Sequence, residues 1–202
     1  AVHAGVPVVV VATPLAMPAG DKITYILNDD DESGRIAAER IGTLLNGKGT
    51  VAVLGIDPDI TSTLNQLHSF EKNLAAQFPR IAIVERRAGW LNSAEAFQMA
   101  QETLNAHPEL DAILGLTETA TRGASEVLQE RGSRVKLVGC RQELDLMRQV
   151  RAGRIDSIVA QNTYEMGYRA VHAIAMRTSS RPVPAEIRIK PLLITRENYD
   201  TP

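Results

Sequence analysis

KITYILNDDDESGRIAAERIGTLLNGKGTVAVLG, residues 22–55, decides the fold class. Ile23, Tyr25 and Leu27 alternate with Thr24 and Ile26, the period-two pattern of a strand whose successive side chains point to opposite faces. Asn28–Asp31 then stops it with four polar residues. Carboxylates there suit the start of a helix, because they accept from the unpaired N–H groups of a first turn and favour the positive end of the helix dipole. From Ser33 the period lengthens, and Ala37, Ile41, Leu44 and Leu45 fall on one helical face. Gly47 is placed to end that helix, since glycine accepts the left-handed conformation after a last turn. Thr50–Leu54 is short, β-branched and apolar, the pattern of a strand covered on both faces. The stretch reads as a β-α-β unit, and the rest of the chain repeats its second half.

Upstream, Val6–Val11 reads as a buried strand with Pro7 near its start, followed by the loop Thr13–Asp21. Downstream, Leu67, Phe70 and Leu74 give a helical face that ends near Pro79, and Ile81–Val84 a strand followed by Glu85, Arg86 and Arg87. Gly89–Asn92 is a loop with Ser93 as the expected N-cap of a helix marked by Phe97, Ala100 and Leu104 and closed at His107-Pro108. Asp111–Leu116 is a strand, Ala120, Ala124, Val127 and Leu128 a helical stripe ended by Gly132, and Val135–Gly139 a strand. Leu144, Met147 and Val150 predict a short helix, Ile155–Ala160 a strand, Ala170, Val171 and Ile174 a long helix, and Ile187–Ile194 one or two strands around Pro191. Alternation with short connections predicts an α/β fold: a mostly parallel sheet with helices on both faces. Ligands bind such sheets outside the carboxyl ends of the strands. That singles out Gly55–Asp59, Arg86–Trp90, Thr117–Glu118, Cys140–Arg141 and Gln161–Asn162.

Composition narrows the function. The 202 residues suit one large domain or two small ones, and an apolar share of 44% supports a real core. A net charge of −2 without a basic stripe weighs against nucleic acid as a partner. The longest apolar run, Val6–Ala12, is too short to span a bilayer. One cysteine excludes an internal disulfide and leaves the compartment open. Ala1–Gly5 lacks the features of a signal peptide, and a strand follows almost at once, so the chain is expected to begin inside a longer protein.

No cofactor motif is present. Gly47-Lys48-Gly49 follows a helix, where it stops the helix rather than cradling phosphate. His3, His68, His107 and His172 have no zinc-ligand spacing. Asp29, Asp31, Ser33 and Gly34 echo the start of a calcium loop, but Arg40 stands where its closing glutamate belongs, so a helix start is the better reading. Cys140 lies after a strand, where a nucleophile would be visible, yet no Cys/His/Asn set supports it and it reads as a packed cysteine. Trp90 on the ligand edge either stacks on a ligand or packs. Arg141 is either a clamp for a carboxylate, phosphate or hydroxyl, or a surface ion-pair partner. Gln161 offers a donor and an acceptor suited to reading hydroxyls.

Together these segments resemble the type I periplasmic binding protein superfamily, which includes ribose-binding-like receptors of sugar ABC transporters and the effector domains of LacI-type repressors. AGVPVVVV, NDDDESGRIAAERI, LNAHPELDAILGLTE, VKLVGCRQ and VRAGRIDSIVAQNTYEMGYRAV each look like a segment of that family, in order along nearly the whole chain. The resemblance implies two α/β lobes joined by three crossings, with ligand held in the cleft between them. It places a partial first lobe at residues 1–29, an intact second lobe of parallel-sheet, three-layer form at 30–161, a return segment of the first lobe at 162–190, and a crossing and tail at 191–202. The first lobe's opening β-α units would then lie upstream of Ala1, as in a fragment, a cleaved product or a truncated gene product, for which weak or no ligand affinity is expected.

Residue by residue the resemblance implies ligand contacts at Gln161, Trp90, Gln66, Thr117, Arg141 and Thr13. Gln66 stands where ribose-type receptors often carry arginine, and Thr117 where they carry asparagine. Arg141 replaces an aspartate, and Ala12-Thr13 an Asp-Arg-like pair. Arginine for aspartate reverses the local charge and points to an acidic or phosphorylated ligand, or to a polyol bound differently. The leading function is therefore a periplasmic, non-enzymatic solute-binding component for a sugar or sugar-like ligand, with an ABC permease as partner, no cofactor and possible dimerisation through exposed apolar surface. The tail LLITRENYD resembles transporter-type endings. The alternative is a cytoplasmic effector domain of a LacI-type regulator. A flavodoxin-like enzyme is the third class, with no converging acid/base or nucleophile set to support it.

Overall fold

The computed structural model describes residues 1, 4–89 and 92–200; His3, Trp90 and Leu91 are not among them. The elements are β1 (Val8–Val11), β2 (Ile23–Asn28), α1 (Asp30–Leu44), β3 (Lys48–Ile56), α2 (Thr61–Gln77), β4 (Arg80–Ala88), α3 (Ser93–Ala106), β5 (Ala112–Gly115), α4 (Glu118–Glu130), β6 (Lys136–Cys140), α5 (Leu144–Arg151), β7 (Ser157–Ala160), α6 (Thr163–Thr178), β8 (Glu186–Ile189) and β9 (Leu192–Thr195). They divide into two compact units. Unit 1 is Ala1–Asp29 with Gln161–Pro191; unit 2 is Asp30–Ala160 with the stretch from Leu192 onward.

Unit 2 is built on the alternation that residues 50–54 display. Its sheet has the order β4-β3-β5-β6-β7-β9, parallel except for β9, which runs antiparallel to β7. Val51, Val53, Leu114, Val138 and Val159 meet Ala37, Ala38 and Ile41 of α1 and Phe70 and Leu74 of α2 on one face. Ala52, Leu54, Ile113, Leu137 and Ile158 meet residues of α3, α4 and α5 on the other. The result is three layers, helix, sheet and helix, with the hydrophobic core split in two by the strands. Arg40 of α1 ties the first layer to the loop before β7 through two parallel bonds to Asp156, at 2.7 and 2.9 Å, the bidentate geometry that suits arginine and carboxylate.

Several elements depart from their sequence-based limits, each for a local reason. Helix α1 begins at Asp30, with Asp30, Asp31 and Glu32 in its first turn. Only Asp29 separates β2 from α1, so the acidic run from Asp30 on belongs to the helix, as its carboxylates suggested. Strand β4 continues past Val84 through Glu85, Arg86 and Arg87 to Ala88. It is an edge strand with one neighbour, so its outward positions are charged and pair with the adjacent helices: Arg86 with Glu71 of α2, and Arg87 with Glu102 of α3. The N-cap of α3 is Asn92, not Ser93; Asn92 and Glu95 form a reciprocal capping box. In α5 the buried residues are Leu146 and Val150, whereas Leu144 is exposed.

In unit 1, β1, β2 and β8 form a parallel sheet in that order, with α6 packed on β1 and β2. Ile26, Met166 and Ile189 make its small core. The expected buried strand at Val6–Val11 is four residues long and only partly covered, because β1 has a neighbour on one side alone. Val6, Val11, Val171 and Ile174 are exposed, and α6 buries Met166 and Ala173 instead.

The helical layers of unit 2 each depend on one close approach. A Cβ on Gly34 of α1 would lie 2.4 Å from the Gln66 carbonyl oxygen and 2.7 Å from the Phe70 nitrogen in α2. A Cβ on Gly123 of α4 would lie 2.6 Å from the Ala96 carbonyl carbon in α3. Backbone at that distance cannot yield cheaply, so Gly34→Ala and Gly123→Ala are each expected to destabilise by about 1–3 kcal/mol. Gly167 of α6 has open space around it; there alanine should stabilise by roughly 0.5–1 kcal/mol, because it restricts the unfolded chain and favours helix. Urea midpoints of the three variants provide the test, and equal effects in all three would contradict the packing argument.

Candidate functional site

Strand register brings the candidate residues of unit 2 to one edge. Leu54 pairs with Gly115, and Gly115 with Gly139. Asp57, Thr117 and Arg141, two or three residues further on, therefore finish at the same carboxyl edge, where open α/β sheets bind ligands. Gly55 has φ +79°, and a Cβ on it would lie 2.6 Å from the Ala120 Cβ and 2.7 Å from the Thr117 Oγ1. Only glycine allows the end of β3 to turn there and to touch the first turn of α4.

A cavity of about 490 Å³ opens at this edge, lined by Asp57, Gly89, Asn92, Glu95, Thr117, Glu118 and Thr119. That volume lies within the range of small-molecule sites, about 300–1,000 Å³. Its polar groups are held by local bonds. Thr117 Oγ1 accepts the Ala120 N–H at 3.2 Å, and Asp57 Oδ1 accepts the Asp59 N–H at 3.0 Å. Asn92 Oδ1 accepts the Glu95 N–H at 3.0 Å, and Glu95 Oε2 accepts the Asn92 N–H at 3.2 Å. Asp57 and Glu95 each use one carboxylate oxygen in these bonds, and the other oxygen has no hydrogen-bond partner among the described residues. Glu118 makes no side-chain hydrogen bond or ion pair among the described residues. The lining is rich in acceptors and negative.

The residues predicted from sequence fall into different settings. Thr117 lines the cavity and caps α4. Arg141 follows β6 directly, but is not among the lining residues. Its φ is +70°, and its N–H donates to the Val159 carbonyl at 3.0 Å. A non-glycine residue held left-handed costs on the order of 1 kcal/mol or more, a strain that clusters at functional sites. Gln66 is 97% buried by side-chain packing in α2, read from its 3% exposure. Its Nε2 donates to Asp30 Oδ1 at 3.1 Å and Ser62 Oγ at 3.3 Å, and Ser62 Oγ donates to the same Asp30 oxygen at 2.8 Å. Gln66 thus fixes the first residue of α1, while its Oε1 is buried without a partner. Thr13 is exposed just after β1, next to Ala12 at φ +72°, and Gln161 is partly buried just after β7; both belong to unit 1. Trp90 lies outside the described residues.

Sequence reasoning flagged the stretches containing Asp57 and Glu118 without selecting either residue. Asn92 and Glu95 were missed, although the spacing Asn-x-x-Glu before an apolar run signals a capping box. Because β4 reaches Ala88, the edge there begins at Gly89 rather than at Arg86. Among the described residues no group of three or more His, Cys, Asp or Glu side chains could hold a metal ion, and no helix is long and apolar enough to cross a membrane.

Two α/β units in one chain, the larger with a polar cavity at its strand ends, define a ligand-binding fold, and comparison with known proteins makes it specific. The chain belongs to the periplasmic binding protein domain family, whose profile matches residues 1–179. It is 24% identical over 183 residues to the D-apiose import binding protein of Paraburkholderia graminis, covering 89% of this chain and 58% of that protein. The chain thus spans little more than half the length of that relative. Among solved structures it resembles AraP, an arabinose-binding protein from Geobacillus stearothermophilus, with a TM-score of 0.91 at 24% identity over 98% of this chain and 71% of the other. It also resembles an ABC transporter solute-binding protein from Actinobacillus succinogenes with bound D-allose, with a TM-score of 0.87 at 19% identity, covering 98% of this chain and 71% of that one. At these identities the likeness establishes the fold.

Cys140 is the last residue of β6 and points into the core with Val138 and Val159. Burial pushes its thiol from the ordinary 9 up to about 12, against a smaller opposing effect of Arg141. A neutral, enclosed thiol is a poor nucleophile. Native protein at pH 8 is expected to react with a thiol reagent only as fast as it opens. The raised value also has a linkage consequence. The folded state holds the proton more tightly, so this contribution to stability is complete below pH 9 and is lost as pH rises from 9 through 12. Stability of the parent should fall more steeply over that window than stability of Cys140→Ala. Rapid labelling at pH 8, or identical pH slopes, would contradict the buried thiol.

Proposed function

We propose that this chain is a solute-binding component of an ABC transport system that takes a neutral sugar or sugar-like polyol at the carboxyl edge of β3, β5 and β6 and releases it unchanged. The observation that carries the reading is the lining of the cavity. Asp57, Glu95 and Glu118 present carboxylate oxygens that have no cationic partner among the described residues, beside the hydroxyls of Thr117 and Thr119. Carboxylates accept from hydroxyl groups and repel anions. The charge reversal at Arg141 alone pointed to an acidic ligand or to a polyol bound differently; the acceptor-rich lining favours the polyol.

In this reading Asp57 and Glu118 accept hydroxyl hydrogens, Thr117 adds a hydroxyl, and Arg141 supplies donors from the neighbouring strand end. Gln66 acts through Asp30. Trp90 offers an aromatic face to the apolar side of a sugar, and Thr13 and Gln161 are candidate contacts by their positions after β1 and β7. The relatives agree in kind, being named for import of D-apiose or binding of arabinose, or solved with D-allose. A periplasmic location and a permease partner belong to the same proposal.

Calorimetric titration with aldopentoses, aldohexoses, uronic acids and sugar phosphates tests it. Neutral sugars should bind in preference to the acidic ones, and Asp57→Asn and Glu118→Gln should each weaken binding about tenfold, the worth of one charge-assisted hydrogen bond. Preference for the acidic sugars, or no binding of any neutral sugar, would overturn it.

A further inference from the structure

A second polar cavity lies in unit 1, at the opposite, amino ends of its strands. It has a volume of about 440 Å³ and is lined by Gly5, Pro7, Asp21, Lys22, Arg177, Ser180, Arg181 and Pro182. Lys22 immediately precedes β2, and Arg177 is in the last turn of α6. Three cations and one carboxylate therefore share the space. None of Lys22, Arg177 and Arg181 forms an ion pair among the described residues, unlike Arg40, Arg86 and Arg122, each of which is tied to a carboxylate.

Arg177 is fixed entirely by neutral acceptors. Its Nε donates to Thr24 Oγ1 at 2.9 Å, its Nη2 to the same oxygen at 2.7 Å and to the Gly20 carbonyl at 2.9 Å, and its Nη1 to the Asp21 carbonyl. Four of the five guanidinium hydrogens are committed, the planar group is held still, and its charge is left uncompensated. Helix dipole effects explain a cation near the end of α6. They do not explain why the guanidinium turns away from the carbonyls of its own helix to grip the turn before β2. Around that fixed charge, Lys22 and Arg181 are exposed side chains able to close on an occupant. A fixed guanidinium charge with one free N–H, flanked by two exposed cations, gives a cluster of positive charge suited to a tetrahedral oxyanion.

We propose that this cavity binds a phosphate group, with Arg177 as the fixed anchor and Lys22 and Arg181 as closing contacts. Both a free phosphate ester and the head group of a phospholipid present that chemistry. Titration of the chain with inorganic phosphate at low ionic strength, followed calorimetrically, tests the site; sedimentation with phosphatidylglycerol vesicles, against phosphatidylcholine vesicles as control, tests the lipid source. Lys22→Gln/Arg181→Gln is the variant of choice, because both side chains are exposed and neither holds the fold; its unfolding midpoint without anion should match the parent. Binding of inorganic phosphate that weakens about tenfold or more in the variant supports the site. Retention on the anionic vesicles that the variant loses supports it as well and assigns the source to lipid. No binding to either probe, or equal binding by parent and variant, overturns it. Sugar affinity depends on the cavity of unit 2, so its presence or absence does not decide this outcome.

Discussion

The central strands of the unit 2 sheet, β3, β5, β6 and β7, are buried on both faces, and the rest of that unit follows from this. Val51 and Val53 point one way from β3, Ala52 and Leu54 the other, and both pairs are fully enclosed. A sheet with no wet face needs helices above and below, and parallel strands need crossovers to supply them. Chain connectivity then places the carboxyl ends of the five parallel strands, β3 to β7, at one edge. The helices must also lie close. Gly34 and Gly123 let α1 approach α2 and α3 approach α4 to backbone distance, which keeps each layer thin enough for the strands' small and branched side chains to fill.

The candidate site lies where this packing stops. At the edge the backbone turns, and polar groups need partners that the sheet no longer provides. Thr117, Asn92 and Asp57 satisfy nearby N–H groups with one oxygen each. The second carboxylate oxygens of Asp57 and Glu95, and both of Glu118, have no donor among the described residues. Arg141 is left-handed, with φ +70°, directly after the buried end of β6. The interior next to it is inert, as the elevated Cys140 thiol indicates. Binding chemistry and structural chemistry thus change over within two residues.

Much of this architecture was legible because the two periods in the chain differ so plainly. Residues 22–55 switch from alternation to a helical face and back, and the structure follows with β2, α1 and β3. Boundaries failed where polar residues had a structural partner invisible in one dimension. The sequence places Glu85–Arg87 after the strand, but they continue an edge strand, with Arg86 paired to α2 and Arg87 to α3. Val6–Val11 looked buried because valines are usually covered, yet β1 lies at the border of its sheet. Gln66 is expected as a contact through the family resemblance; its burial against Asp30 depends on how α2 rotates, which periodicity alone leaves free. Asp57 and Glu118 went unselected because acidic residues after strands are common, and only the three-dimensional register shows them lining one cavity.

Mapping backbone amide shifts by ¹H–¹⁵N NMR during titration with a neutral aldopentose tests the placement of the site most directly, because it registers weak binding residue by residue. Shifts concentrated at Asp57, Gly89, Glu118 and Arg141, with the amino ends of β3, β5 and β6 unchanged, are expected. Shifts centred on those amino ends, or none at saturating sugar, would contradict a binding edge set by the doubly buried sheet.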